Sequence, residues 1–332
     1  MSERPKSQPF DLEHARPVVD TPDSIWRLLR WPSLVLFTLV ALLGLAHWYL
    51  QLDLDNFSLA ILDQRFVILS AAFHGLALAL SVSTWHINLK KHRIQQLSLL
   101  QSAAMTGLSA LGKYTPGKVW GLLARGLAVQ RLSGSTQTAA TSALTEQVAL
   151  LHSAAGLALL CLLATLDQGF SLMAGAMLLL IVSVPLLAGS STLLWPLLQR
   201  LSPRGQLSAL NPNQELKGAY PIVFTGLFLM WMAASAVLWA SVRAYGAATA
   251  PDFADATLIT LLAYFGGFAS VFAPAGLGVR DGIMAAMLAP FTGVAPAICI
   301  ALLHRLITAG FDLLLGILAL FAIAKRPPRR EV

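Results

Sequence analysis

The chain has 332 residues, 56% hydrophobic and 12% charged, with mean hydropathy +0.68. Soluble domains carry roughly 25% charged residues, so this composition sets aside a soluble enzyme, a disordered regulator and a secreted disulfide scaffold, and makes a bilayer the main solvent. The formal charge of +7 would suit nucleic acid in a soluble protein; here Lys and Arg concentrate between apolar runs, the positive-inside pattern, and no nucleic-acid-reading module occurs.

The first 32 residues mix five basic with five acidic side chains and read as a poorly ordered cytoplasmic tail. Trp26 and Trp31 near its end suit the membrane interface. Apolar runs then predict six crossings, at 33–51, 66–85, 139–166, 170–198, 219–242 and 295–324. They form one transmembrane domain, 33–324, followed by a basic cytoplasmic tail, 325–332. The first run is too long and too deep for a cleaved signal peptide. Cys161 and Cys299 lie in apolar runs without metal-spaced partners, so packing explains them and neither a metal site nor a cofactor is expected.

Two more apolar stretches end in proline and glycine clusters. Residues 97–111 lead into Gly112-Lys113-Tyr114-Thr115-Pro116-Gly117-Lys118 and then 119–131. Residues 257–273 lead into Pro274-Ala275-Gly276-Leu277-Gly278-Val279-Arg280-Asp281-Gly282 and a short apolar return to Phe291. Nineteen Lys and Arg fall in the leader, 86–96, 112–135, 199–219 and the tail, whereas 52–65, 167–169 and 243–255 hold one, none and one. Placing the first set in the cytoplasm puts both termini inside, in a bacterial-type inner membrane. Each interrupted stretch must then enter and leave on one side, as a re-entrant hairpin, the two from opposite leaflets.

The expected fold is therefore all-α and polytopic, with six crossings and two Pro/Gly-broken re-entrant hairpins. The halves 33–166 and 170–324 share the plan span, span, hairpin, span in opposite orientations. A broken segment at matching places in inverted halves points to a transporter-type site near mid-membrane; two unrelated bundles are the alternative.

Gly112 to Lys118 satisfies the G-x-x-x-x-G-K opening of a phosphate-binding loop. Val119 follows where a hydroxyl is needed, and no strand or βαβ unit surrounds it, so nucleotide hydrolysis is set aside. The physics beneath the pattern remains: Thr115, Pro116 and Gly117 interrupt a helix, and free amides beyond them, with Lys113 and Lys118, would suit a phosphate head group. Positive-inside anchoring explains the same lysines. In the segment that follows, Val119, Trp120, Leu123 and Leu127 share a helical stripe, with Arg125 and Arg131 off it. This predicts an interfacial helix turning its basic face to anionic lipid, in preference to a solvated loop helix.

The second block places Arg280 and Asp281 in apolar surroundings, beside Pro274, Gly276 and Gly278, whose non-helical backbone needs protein or water partners and so suits a wet cavity. The two charges serve a ligand or pair elsewhere in the bundle. Glu146, beside Gln147, and Asp312 share this intramembrane status. Arg305 and Asp312 lie two helical turns apart on one face, so a structural ion pair between them is the alternative to function. Glu146, Asp281 and Asp312 are candidate proton carriers; His152 and His304 read as hydrogen-bonded interior residues. Neither H-E-x-x-H nor G-x-S-x-G occurs, and no extramembrane segment is large enough for a catalytic domain, so no catalytic residue is assigned.

The blocks at 112–118 and 274–282, with Thr145-Glu146-Gln147 and His304-Arg305 plus Asp312, resemble the lysylphosphatidylglycerol synthase transmembrane-domain family, also called flippase-like. The likeness covers almost everything from the first crossing to the last. It implies lipid translocation, with Lys113, Thr115, Pro116, Gly117, Lys118, Glu146, Pro274, Gly276, Gly278, Arg280, Asp281, Arg305 and Asp312 as substrate-binding residues. Two-part members carry a soluble aminoacyl-transferase domain after the membrane region. This sequence stops eight residues after Ala324, so a stand-alone member that does not itself make lysyl lipid is expected. The family commonly has Glu-Arg at Glu146-Gln147, Gly at Ala275 and Glu at Asp281, differences that point to a head group other than an aminoacyl lipid. Expected partners are membrane lipids, with an anionic phospholipid or polyprenyl-linked head group, and a lipid-synthesis enzyme. The rival functions are an intramembrane enzyme or subunit of lipid-linked glycan or glycolipid synthesis, and a non-catalytic scaffold of a lipid-modifying complex.

Overall fold

The computed structural model describes residues 62–94, 97–114, 119–164, 213–247, 249–270 and 273–324. The predicted crossings at 33–51 and 170–198, both tails, and Thr115, Pro116, Gly117 and Lys118 lie outside the described residues. Eight α-helices and no strands occur among those described: α1 (Gln64–Lys91), α2 (Leu99–Gly112), α3 (Val119–Ser133), α4 (Thr136–Ala164), α5 (Asn213–Ala244), α6 (Phe253–Ala269), α7 (Val279–Thr292) and α8 (Val294–Ala324). A single 3-10 turn, Pro274–Gly276, separates α6 from α7.

Helices α1, α4, α5 and α8 are long and apolar enough to cross a membrane. The other four have 14 to 17 residues. At about 1.5 Å per residue they reach roughly 21–26 Å, short of a hydrocarbon core about 30 Å thick.

Local chemistry sets the ends more than hydropathy does. Helix α1 begins before the expected position because the Asp63 side chain accepts from Arg65 N at 2.9 Å. It continues past Trp85 to Lys90 and Lys91, cations favoured at a helix C-terminus. Helix α2 opens on Ser98 and Gln101, whose side chains each accept from the other's backbone amide. Helix α6 begins at Phe253 rather than 257 because Asp252 accepts from Asp255 N at 2.8 Å.

Long helices pair through small and hydroxyl side chains. Helices α1 and α5 run antiparallel: Asp63 N donates to Ala244 O at 2.8 Å, Ser70 Oγ donates to Val237 O at 3.0 Å, and Thr84 leaves no room for a Cβ at Gly226. Buried hydroxyls also bond back one turn, as Thr145 to Thr141 O, Ser235 to Trp231 O and Ser241 to Val237 O. They thus cost little without water. Outward positions are apolar instead: Leu306, Leu313, Leu314, Ile317 and Phe321 on α8 are all exposed. In water such a face would be a liability; against lipid it is the favoured one.

The short helices make two hairpins. Helices α6 and α7 are antiparallel, with Ile259 and Ala263 in one apolar cluster with Met284 and Leu288. A Cβ at Gly267 would lie 2.9 Å from Arg280 Cβ. Helices α2 and α3 approach closely where Gly121 faces Ser109 O and Gly112 Cα. Helix α3 corrects an expectation. Arg125 does not face lipid head groups: Gly121, Arg125 and Val129 form the buried face, while Leu123 and Leu127 are exposed. Leu123 and Leu127 face outward because the interior supplies Arg125 with a carboxylate and an aromatic face.

Candidate functional site

Helix α8 organises the site. Helix α2 packs along its C-terminal half: a Cβ at Gly107 would lie 2.6 Å from Leu315 O, and Leu111 fills the space at Gly316. Helix α7 packs along its N-terminal half, with Ala285 and Leu288 in one cluster with Ala297, Ile300 and Ala301. The two hairpins therefore approach from opposite ends of α8, and their tips touch. The Ala275 amide donates to the Lys113 carbonyl at 2.7 Å, beside the stretch of α8 between Arg305 and Asp312.

The second tip needs left-handed backbone. Gly276 and Gly278 have φ of +69° and +77°, and a Cβ at Gly276 would lie 3.0 Å from Gly267 Cα, so glycine fits there on two counts. Ala275 also has a positive φ, 49°, unfavourable for an L-residue. Three hydrogen bonds hold it: its amide to Lys113 O, and its carbonyl from Arg305 Nη1 and Nη2 at 3.2 and 3.3 Å.

Charges from α7, α8 and the tip of the first hairpin converge here. Lys113 Nζ lies 2.5 Å from Asp312 Oδ2, and Tyr114 Oη donates to the same oxygen at 3.0 Å. Arg305 Nη1 is 3.8 Å from Asp281 Oδ1, while Asp281 Oδ2 accepts from Gly278 N at 3.2 Å, a carboxylate placed where the α7 dipole favours it. Arg305 and Asp312 are both ion-paired, as burial demands, but with the hairpin tips instead of each other. Arg280 is half-buried. Its Nε has no hydrogen-bond partner among the described residues, no described carboxylate is in ion-pair contact with it, and its guanidinium faces the Tyr264 ring at 5.9 Å.

Glu146 belongs to a second cluster. Its Oε1 accepts from Arg125 Nη2 at 2.7 Å, both side chains being more than nine-tenths buried, and the Arg125 guanidinium lies 3.5 Å from the Trp85 ring centroid. This pairing was missed from sequence because it joins α3 to α4 and α1. Tyr264, beside Arg280, packs edge-on against Trp231 with ring centroids 4.7 Å apart.

Sequence reasoning also passed over His74, Tyr114 and Tyr264. His74 packs edge-on against Phe311 at 5.4 Å, within Coulombic reach of Asp312, Lys113 and Arg280. An isolated imidazole in an apolar run was the available signal. Tyr114 stood inside the first Pro/Gly block, where nothing distinguished its hydroxyl. Of the predicted residues, Lys113, Gly276, Gly278, Arg280, Asp281, Arg305 and Asp312 come together, and the backbone of Pro274 joins them in the 3-10 turn.

The sequence pattern of the family described as Lysylphosphatidylglycerol synthase TM region matches residues 31–316. The chain belongs to that family. It is accordingly a membrane protein associated with membrane lipids, as the motif resemblance implied, and Lys113 and Ala275, one from each block that carried the resemblance, are in hydrogen-bond contact. No curated relative matches it.

Proposed function

We propose that this protein is an inner-membrane lipid translocator that binds an anionic phospholipid or lipid-linked head group between two re-entrant hairpins and lowers the barrier to its crossing. The observation that carries the reading is the contact between the tips at the middle of α8. Hairpins too short to span, lying along opposite halves of a membrane-length helix, fit entry from opposite leaflets. With the crossings at 33–51 and 170–198 added, the chain makes six crossings in two inverted halves with both termini cytoplasmic.

In this reading Lys113, Lys118, Arg280 and Arg305 meet phosphate. Asp281 and Asp312 hold those cations in place, contact the polar head or carry protons, and Glu146 acts through its pair with Arg125. Thr115, Pro116 and Gly117 break the first hairpin as Pro274, Gly276 and Gly278 break the second. The gain is avoided desolvation: an ionised head in bare hydrocarbon is costly, and fixed charges and irregular backbone supply substitutes for water. No catalytic group is required.

A leaflet-exposure assay on the purified protein in vesicles, with several labelled lipid classes, tests the proposal. At least one anionic lipid should move well above the empty-vesicle rate, and the Arg305→Gln variant should lose most of that excess. Movement of no lipid above the empty vesicles would sink it.

A further inference from the structure

Resting on the lipid-binding reading, we infer that the central site takes a singly charged anionic head group bearing no ammonium, the chemistry of a phosphodiester such as phosphatidylglycerol, and rejects aminoacylated and zwitterionic heads. An ammonium inside a membrane protein is best received by a carboxylate that no protein cation already neutralises. The three carboxylates buried within the described helices are all engaged: Asp312 by Lys113 and Tyr114, Asp281 by Arg305 and the Gly278 amide, and Glu146 by Arg125.

Cations are in surplus instead. At the tips three cations, Lys113, Arg280 and Arg305, face two carboxylates among the described residues, leaving one positive charge. That charge is placed: Arg280 is half-buried, with its Nε lacking a hydrogen-bond partner and its Cβ packed against Gly267. Buried uncompensated charge is costly, so a ligand that cancels it gains what a neutral ligand does not. A monoanionic diester cancels the charge that Arg280 leaves uncompensated. A zwitterionic ethanolamine head leaves the surplus where it was, and a lysyl head, with two ammoniums and one phosphate, adds one more positive charge. Guanidinium also suits the task geometrically, since its planar donors match two phosphate oxygens, and the Tyr264 ring limits its swing.

The test uses the full-length protein in phosphatidylcholine nanodiscs doped in separate arms with phosphatidylglycerol, phosphatidylethanolamine or lysyl-phosphatidylglycerol, with retained lipid read by native mass spectrometry. A further arm adds water-soluble glycerophosphoglycerol as competitor. Phosphatidylglycerol should be retained at least tenfold over the other two, fall about tenfold in Arg280→Gln, recover in part in Arg280→Lys, and be displaced by the soluble diester. Both variants keep the stem that packs on Gly267, so folding is checked by an unchanged elution profile. Equal or better retention of the lysyl or ethanolamine lipid would overturn the head-group assignment and leave lipid binding standing. Capture of the soluble diester with none of the lipids would assign the site to a free phosphodiester and overturn its lipid source. Retention of nothing above phosphatidylcholine would overturn both this inference and the function it rests on.

Discussion

The cluster at the hairpin tips and the cluster around Glu146 use the same residue types with opposite charge accounts. At Glu146 one carboxylate meets one guanidinium, both more than nine-tenths buried, and the Trp85 face covers the cation; the account is closed. At the tips, among the described residues, two carboxylates meet three cations, and one of those, Lys113, keeps 43% of its side chain exposed. A closed pair fixes how α1, α3 and α4 pack. An open cluster with a surplus cation leaves something for a ligand to complete. Burial of charge alone does not mark a site; incomplete compensation does.

The largest expected effect falls on the closed pair. Glu146→Gln strands Arg125 in a dry interior and should cost about 3–5 kcal/mol of stability, while the double change Arg125→Met with Glu146→Leu should recover most of it. Thermal unfolding in detergent checks both, and a harmless single change would erase the distinction between the clusters. Asp312→Asn should cost less, about 1.5–3 kcal/mol, because Lys113 can turn to water; a loss matching that of Glu146→Gln would mean the tips are as closed as the other pair. Tyr114→Phe removes one hydrogen bond while leaving the Lys113 contact, and about 0.5–1.5 kcal/mol is expected by the same measurement. Arg280→Gln breaks no pair and removes an uncompensated charge, so it should cost no stability and can raise it, while changing lipid retention most. That inversion of order between stability and binding is the sharpest form of the contrast.

Much of the helical plan was legible. Runs of apolar residues located α1, α4, α5 and α8 with ends off by up to six positions, and Pro and Gly located both breaks, because these signals are local. Helix starts were less accurate where a cap overrode hydropathy, as at Asp63 and Asp252. Arg125 was expected at the lipid head groups because an interfacial helix turns its basic face to anionic lipid; no local signal showed that α4 and α1 supply it with the Glu146 carboxylate and the Trp85 ring inside the protein.

The sequence by itself determined the solvent, the helix lengths, the two breaks and nearly every ionised residue at the tips, since each follows from transfer energies and backbone limits within a few neighbouring positions. Tertiary structure alone decided the pairing. Arg305 and Asp312 sit two turns apart on one helix, yet each takes its partner from a different hairpin, because side chains along α8 meet whatever packs beside them. Which cation is left over, Arg280, depends on contacts among residues 113, 281, 305 and 312, and no local pattern encodes a choice made across some two hundred positions.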